Sequence, residues 1–132
     1  MLSTAWHVLD QEQAEKWNSE GKIFKSSFKH HRCSKWCRLS KENYLWLASA
    51  GFELCKEYTA RYGKTHAREH TLKHLLLHVP NDFEHKGFTM PPQAMPEEYK
   101  CEDSITAYRA YYMGEKRYFA VWPAGKKPKW FI

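Results

Sequence analysis

The stretch SKENYLWLASAGFELCKEYTARYG, Ser40 to Gly63, settles the architecture. Leu45, Ala48, Phe52, Cys55, Tyr58 and Tyr62 recur three or four residues apart, the period of a helix with one apolar face. Ser40 offers a hydroxyl to the free amides at the start, Glu42 complements the positive end of the helix dipole, and Gly63 tolerates a left-handed close. The spacing predicts a helix over Lys41–Tyr62. Upstream, Leu2, Ala5, Trp6 and Leu9 share helical spacing. Asp10 with Gln13 then reads as a capping box carrying helix to about Trp17, and Gly21 ends it.

Downstream, a third helix is predicted from about Thr65 to His78, stopped by Pro80. Pro91, Pro92 and Pro96 make Asn81–Tyr99 an ordered loop without long helices. Asp103 or Ser104 caps a last helix to about Trp122, with Ile105, Tyr108, Tyr112, Phe119 and Trp122 facing inward, and Trp130-Phe131 in a basic tail docks back. No alternating strand and no internal repeat is visible. The expected fold is all-α: a single compact domain spanning 1–132, with four or five helices and a Pro-rich ordered loop. Leu45, Ala48, Phe52, Cys55, Tyr108, Tyr112 and Phe119 are expected to meet in one core, where Phe52→Ala would cost about 3–5 kcal/mol.

Net charge is +6 and aromatic residues make up 16% of the chain, at a mean hydropathy of -0.77. A basic, ring-rich chain favours an anionic partner without naming it. No stretch approaches the roughly 18 apolar residues of a membrane span, and no secretory signal is visible, so no membrane partner is expected. The four cysteines read as free thiols of a reducing cytosol.

The charge is unevenly placed. Lys22, Lys25, Lys29, Arg32, Lys35, Arg38 and Lys41 run without an intervening acid, interleaved with Phe24, Phe28 and Trp36, whereas Asp82–Asp103 is net acidic. Cations that neutralise phosphates beside rings that stack on bases suit nucleic acid; a solvated basic loop whose rings plug into the core is the alternative. Lys25, Lys29, Arg32, Lys35, Trp36 and Arg38 are therefore the candidate nucleic-acid face, and Arg109 and Lys116, with Arg117, form a weaker second patch. No metal is assigned. His66, His70, His74 and His78 stand four apart, but each step drifts by about 40° around a helix, so one ion could reach only two. His30, His31, Cys33 and Cys37 place adjacent histidines poorly for zinc, and packing cysteines are preferred. Neither a nucleophile elbow nor a glycine-rich phosphate loop is present, and no cofactor is assigned.

Several blocks carry a resemblance. They are His31 with Trp36-x-Arg38, Ser40 to Leu47, Glu57-Tyr58-x-x-Arg61-Tyr62-Gly63-Lys64-x-His66, Pro92 to Lys100, Ala107-Tyr-Arg-x-Tyr-Tyr112, Glu115-Lys116, Phe119-Ala120-x-Trp122 and Trp130-Phe131. Together they resemble a family of small, uncharacterised tailed-phage proteins over about three quarters of the chain. The resemblance implies a phage protein acting in the cytoplasm of an infected bacterium. Relatives carry an extra N-terminal segment rich in His, Asp, Cys and Lys that this chain lacks, so it reads as a short form or as a trimmed piece of a longer chain. They have other residues at Cys33 and Cys37. A more distant likeness is to phage pyrimidine-dimer DNA glycosylases, which are all-α, basic and use an N-terminal amine as nucleophile. Here that likeness is one of architecture: Leu2 disfavours removal of Met1, and no imine-trapped DNA adduct is expected.

Two functions follow as expectations. One is a DNA-binding protein of repair or modification type, possessing Asn43, Gln93 and His66 as base readers and Arg61 as an anion contact. The other is a non-enzymatic accessory protein that inhibits a host protein or sequesters a nucleotide signal. Whether any reaction is catalysed stays open between them.

Overall fold

The computed structural model describes residues 1–132. The chain is all-helical: α1 (Leu2–Leu9), α2 (Gln11–Ser19), α3 (Arg32–Cys37), α4 (Lys41–Tyr62), α5 (Glu69–Leu77) and α6 (Ser104–Met113), with short 3-10 turns at Glu97–Tyr99 and Arg117–Phe119. No strand forms; a single bridge pairs Ser40 with His85. The expected caps are in place. Asp10 accepts from Gln13 N, Ser40 from Asn43 N and Asp103 from Thr106 N, and Gly63 closes α4 at φ 66°. No helix is long and apolar enough to cross a membrane.

The chain divides into two compact units, Met1–Thr89 and Met90–Ile132. The first is built around Tyr44, which is wholly buried among Ala5, Trp6, Trp36, Cys37, Ala48 and Leu75. Its hydroxyl accepts from Trp6 Nε1 at 3.0 Å and donates to the Leu75 carbonyl at 2.8 Å, so α1, α4 and α5 meet at one polar atom inside the apolar core. Ala48 and Cys55 of the expected stripe are buried, but Phe52 is half-buried and Tyr62 is 62% exposed. The stripe has moved by one position at the N-terminal end of α4, where Asn43 and Tyr44 face inward.

Asn43 acts as a clamp. Its Nδ2 donates to the Trp36 carbonyl and to Thr89 Oγ1, both at 3.0 Å, and its Oδ1 accepts from Thr89 N at 2.9 Å. Glu42 adds a bond from Gly87 N at 3.0 Å. These two side chains fix the 78–89 segment onto the start of α4.

In the second unit the Pro-rich loop is ordered, as expected, by hydrogen bonds to α6. Ser104 Oγ donates to the Pro91 carbonyl at 2.6 Å and Tyr108 Oη to the Pro92 carbonyl at 2.8 Å. The last helix is shorter than its sequence pattern suggests. It stops at Met113 because Gly114 leaves helical geometry, at φ -87° and ψ -103°, and the Tyr99 ring occupies the space a side chain there would need. Without the continuing helix, Ile105, Tyr112 and Phe119 are partly exposed, and only Ser104 and Ala107 of α6 are buried. Phe131 is the buried aromatic of this unit, set against Trp122 at 4.7 Å, in keeping with the docking expected of the tail.

Candidate nucleic-acid interface

The basic stretch is not a helix until Arg32. Residues 24–28 run without helical structure along α1, held from below by polar side chains. Ser3 Oγ accepts from Phe24 N at 3.2 Å, Thr4 Oγ1 both donates to the Ser27 carbonyl and accepts from Ser27 N at 3.0 Å, and His7 Nε2 lies 2.9 Å from the Phe24 carbonyl. Ile23 anchors the start of the run in the core. This satisfies the backbone on the α1 side and leaves Lys25, Lys29, Arg32 and Lys35 exposed. None of the four forms an ion pair.

Phe28 stands among them at φ 48°, the one non-glycine residue with positive φ, and it is 83% exposed. A bulky residue in the left-handed region is strained by about 1–3 kcal/mol, and here no burial offsets it. The Phe28 carbonyl accepts from His31 N at 3.0 Å, closing a turn from which the ring stands exposed. His31 in turn caps α3, its Nδ1 accepting from Cys33 N at 3.2 Å.

Other expected site residues have structural roles. Trp36 is 7% exposed, with Nε1 donating to the Thr89 carbonyl at 3.1 Å and its ring edge-on to Trp46 and Phe88, so it is not available to stack on a base. Arg38 is half-buried, its Nη1 shielded from solvent without a hydrogen-bond partner. Asn43 has no free amide group for a base, for the reason given above. Gln93 spends its amide on the Cys101 backbone, Oε1 accepting from N and Nε2 donating to O, which pins the Pro-rich loop. Arg61 pairs with Glu57 at 2.8 Å.

Arg61 and His66 do share a feature. With Tyr58, Tyr62, Arg68 and Leu72 they line a groove of about 470 Å³ between α4 and the start of α5. Tyr58 sits 4.8 Å from both the Tyr62 and the His66 rings. His66 Nδ1 accepts from Arg68 N at 3.1 Å, and the Arg68 guanidinium lies 4.6 Å from the Phe24 ring. Gly51 forms part of the floor, where a Cβ would come within 3.0 Å of Leu72.

No group of three His, Cys, Asp or Glu side chains comes together to hold a metal. The histidine ladder instead packs: His74 and His78 stack at 4.3 Å with Trp17 edge-on to both. Burial holds the His74 pKa below its usual value, and His78 and Lys22 reinforce this. Burial pushes the Cys37 thiol up to about 12, so the free thiol stays protonated near neutral pH.

Arg109 and Lys116 belong to a larger set than the sequence reading gave them. Between Ser104 and Ile132 the cations are Arg109, Lys116, Arg117, Lys126, Lys127 and Lys129, against Glu115 alone. The signal was present in this local imbalance, but it was divided between a supposed long helix and a tail. No protein-family model matches the chain, and no curated protein or solved structure is significantly similar to it.

Proposed function

We propose that this protein binds nucleic acid through the 25–35 face. The observation that carries the reading is Phe28: a phenyl ring exposed at a strained backbone conformation, flanked in sequence by four exposed cations that have no carboxylate partner. Strain retained at a solvent-facing ring adds nothing to packing, whereas a ring among unpaired cations is what stacking on a base beside a neutralised phosphate requires. In keeping with the phage resemblance, the protein would act in the cytoplasm of an infected bacterium, as a DNA-binding protein of repair or modification type.

The test is fluorescence anisotropy with labelled duplex and single-stranded DNA across a salt series. Replacing Lys25, Lys29 and Lys35 together by Ala should flatten the log K against log salt slope by about 2–3 on duplex. An unchanged slope reduces the stretch to a solvated loop. The α4–α5 groove favours a second reading, capture of a nucleotide, since it sets the Tyr58, Tyr62 and His66 rings beside two guanidinium groups. That reading gains if nucleotides bind with little salt dependence and Arg68→Ala abolishes it.

A further inference from the structure

We infer that the second unit, Met90–Ile132, carries its own platform for single-stranded nucleic acid, made by the turn and tail that follow α6. The inference rests on the nucleic-acid reading above and assigns a second surface and a strand preference to it.

Six cations lie in the 104–132 segment, and none forms an ion pair. Four of them are set against rings. The Arg109 guanidinium is 5.5 Å from the Trp130 centroid, Arg117 is 5.2 Å and Lys127 5.9 Å from Phe131, and Lys116 lies 5.2 Å from Tyr111 and 5.6 Å from Phe119. Such contacts lay the cationic side chains against the rings and leave net positive charge beside aromatic faces. A buried scaffold supports them: Phe131 is enclosed by Trp122 at 4.7 Å and Trp130 at 5.8 Å.

Two rings stand outside that scaffold. Tyr118 is 82% exposed and Phe119 48% exposed, edge-to-face at 5.0 Å on the 3-10 turn Arg117–Phe119. Beside α6, Ile105, Tyr108, Tyr112, Trp122 and Trp130 wall an apolar pocket of about 220 Å³ whose rim carries Arg109. Exposed rings, a ring-walled pocket and unpaired cations on one short segment match the requirements of a strand with unstacked bases: π faces for the bases and positive charge for the phosphates. A duplex meets only the second requirement, because its base faces are stacked inside. An acidic protein would need the charge but not the pocket or the outward rings.

The experiment uses the full chain with fluorescein-labelled oligothymidine, a duplex of equal length and anionic phosphatidylserine vesicles. The variants are Tyr118→Ala/Phe119→Ala and Lys126→Ala/Lys129→Ala, at exposed or partly exposed positions whose loss leaves the buried scaffold in place. The ring variant should lose about 10- to 100-fold in oligothymidine affinity with duplex affinity unchanged. The lysine variant should lower the single-strand salt slope by about 1.4. Alanines at Lys25, Lys29 and Lys35 should spare part of the oligothymidine binding. If wild type binds oligothymidine and neither tail variant changes it, the platform is overturned while the 25–35 face stands. An equal loss on duplex and single strand also overturns it, since stacking is then not the basis. Binding to vesicles alone, or to no nucleic acid at all, overturns both readings.

Discussion

Tyr44→Phe removes one oxygen atom and should cost more than most whole-side-chain changes on the surface. The hydroxyl accepts from Trp6 Nε1 at 3.0 Å and donates to Leu75 O at 2.8 Å, with His78 O also at 3.2 Å. Its loss leaves the Trp6 N–H buried without a partner, in a ring that is 6% exposed. It also strips the Leu75 carbonyl, which lies in the last turn of α5 where no intrahelical amide remains to take it. Each buried group left unsatisfied costs about 1–3 kcal/mol. The carbonyl end lies near the exposed His78 side and can recover some hydration, so the total should be about 2–4 kcal/mol. For a unit of this size that corresponds to a fall in Tm of roughly 10–25 °C by differential scanning calorimetry. A cycle with Trp6→Phe separates the two halves: removing donor and acceptor together should cost less than the sum, with a coupling of about 1–2 kcal/mol. A Tm within about 2 °C of wild type, or strict additivity, would refute the hydroxyl as the joint of three helices.

Stability should fall on mild acidification through His74. Its pKa is lowered by burial against Trp17, by His78 and by Lys22, with Glu20 opposing, so the unfolded chain takes up the proton first. Tm should hold above pH 7 and decline as pH drops below about 6.5, the decline being smaller in His74→Gln; an equal decline in both proteins would exclude His74 as its source. Phe52→Ala should cost about 1–2 kcal/mol, below the 3–5 of a fully enclosed phenyl, because the ring is half-buried with Lys56 and Lys73 at 5.3 and 5.8 Å from its centroid. A loss in chemical denaturation as large as that of Tyr44→Ala would contradict this.

The starts of α2, α4 and α6 were legible because they follow local rules, whereas α3 and the start of α5 at Glu69, past the expected Thr65, were not. Asp10, Ser40, Gly63 and Asp103 act where capping chemistry predicts, since a cap needs only its own next three residues. The length of α6 was not legible. Its apolar period continues past Gly114, where the backbone leaves helical geometry and the Tyr99 ring fills the space beside the glycine, brought there by a loop whose course depends on Ser104, Tyr108 and Gln93. The one-position shift in the buried face of α4 has a similar source: Asn43 faces inward because Thr89, 46 residues away, uses its amide.

The same distinction explains why two rings in one basic stretch have opposite roles. Phe28 and Trp36 are eight residues apart and alike in composition-level terms. Trp36 lies on a short helix directly before α4 and carries an N–H that must be matched if buried; the Thr89 carbonyl supplies the match, and the ring becomes core. Phe28 has no polar atom to satisfy, so burial would have been the easier outcome for it by solvation alone. It is exposed where the four hydroxyl and imidazole contacts from α1 to the Phe24 and Ser27 backbone end and the chain turns at positive φ. An apolar ring outside the core, among cations without partners, is the arrangement on which the nucleic-acid reading depends. Phe28→Gly tests it in a single variant: glycine relieves the positive φ and should hold or raise Tm, while affinity for oligothymidine falls about 5- to 100-fold. A variant that is stabilised and binds as wild type would show that the strain serves something other than a ligand.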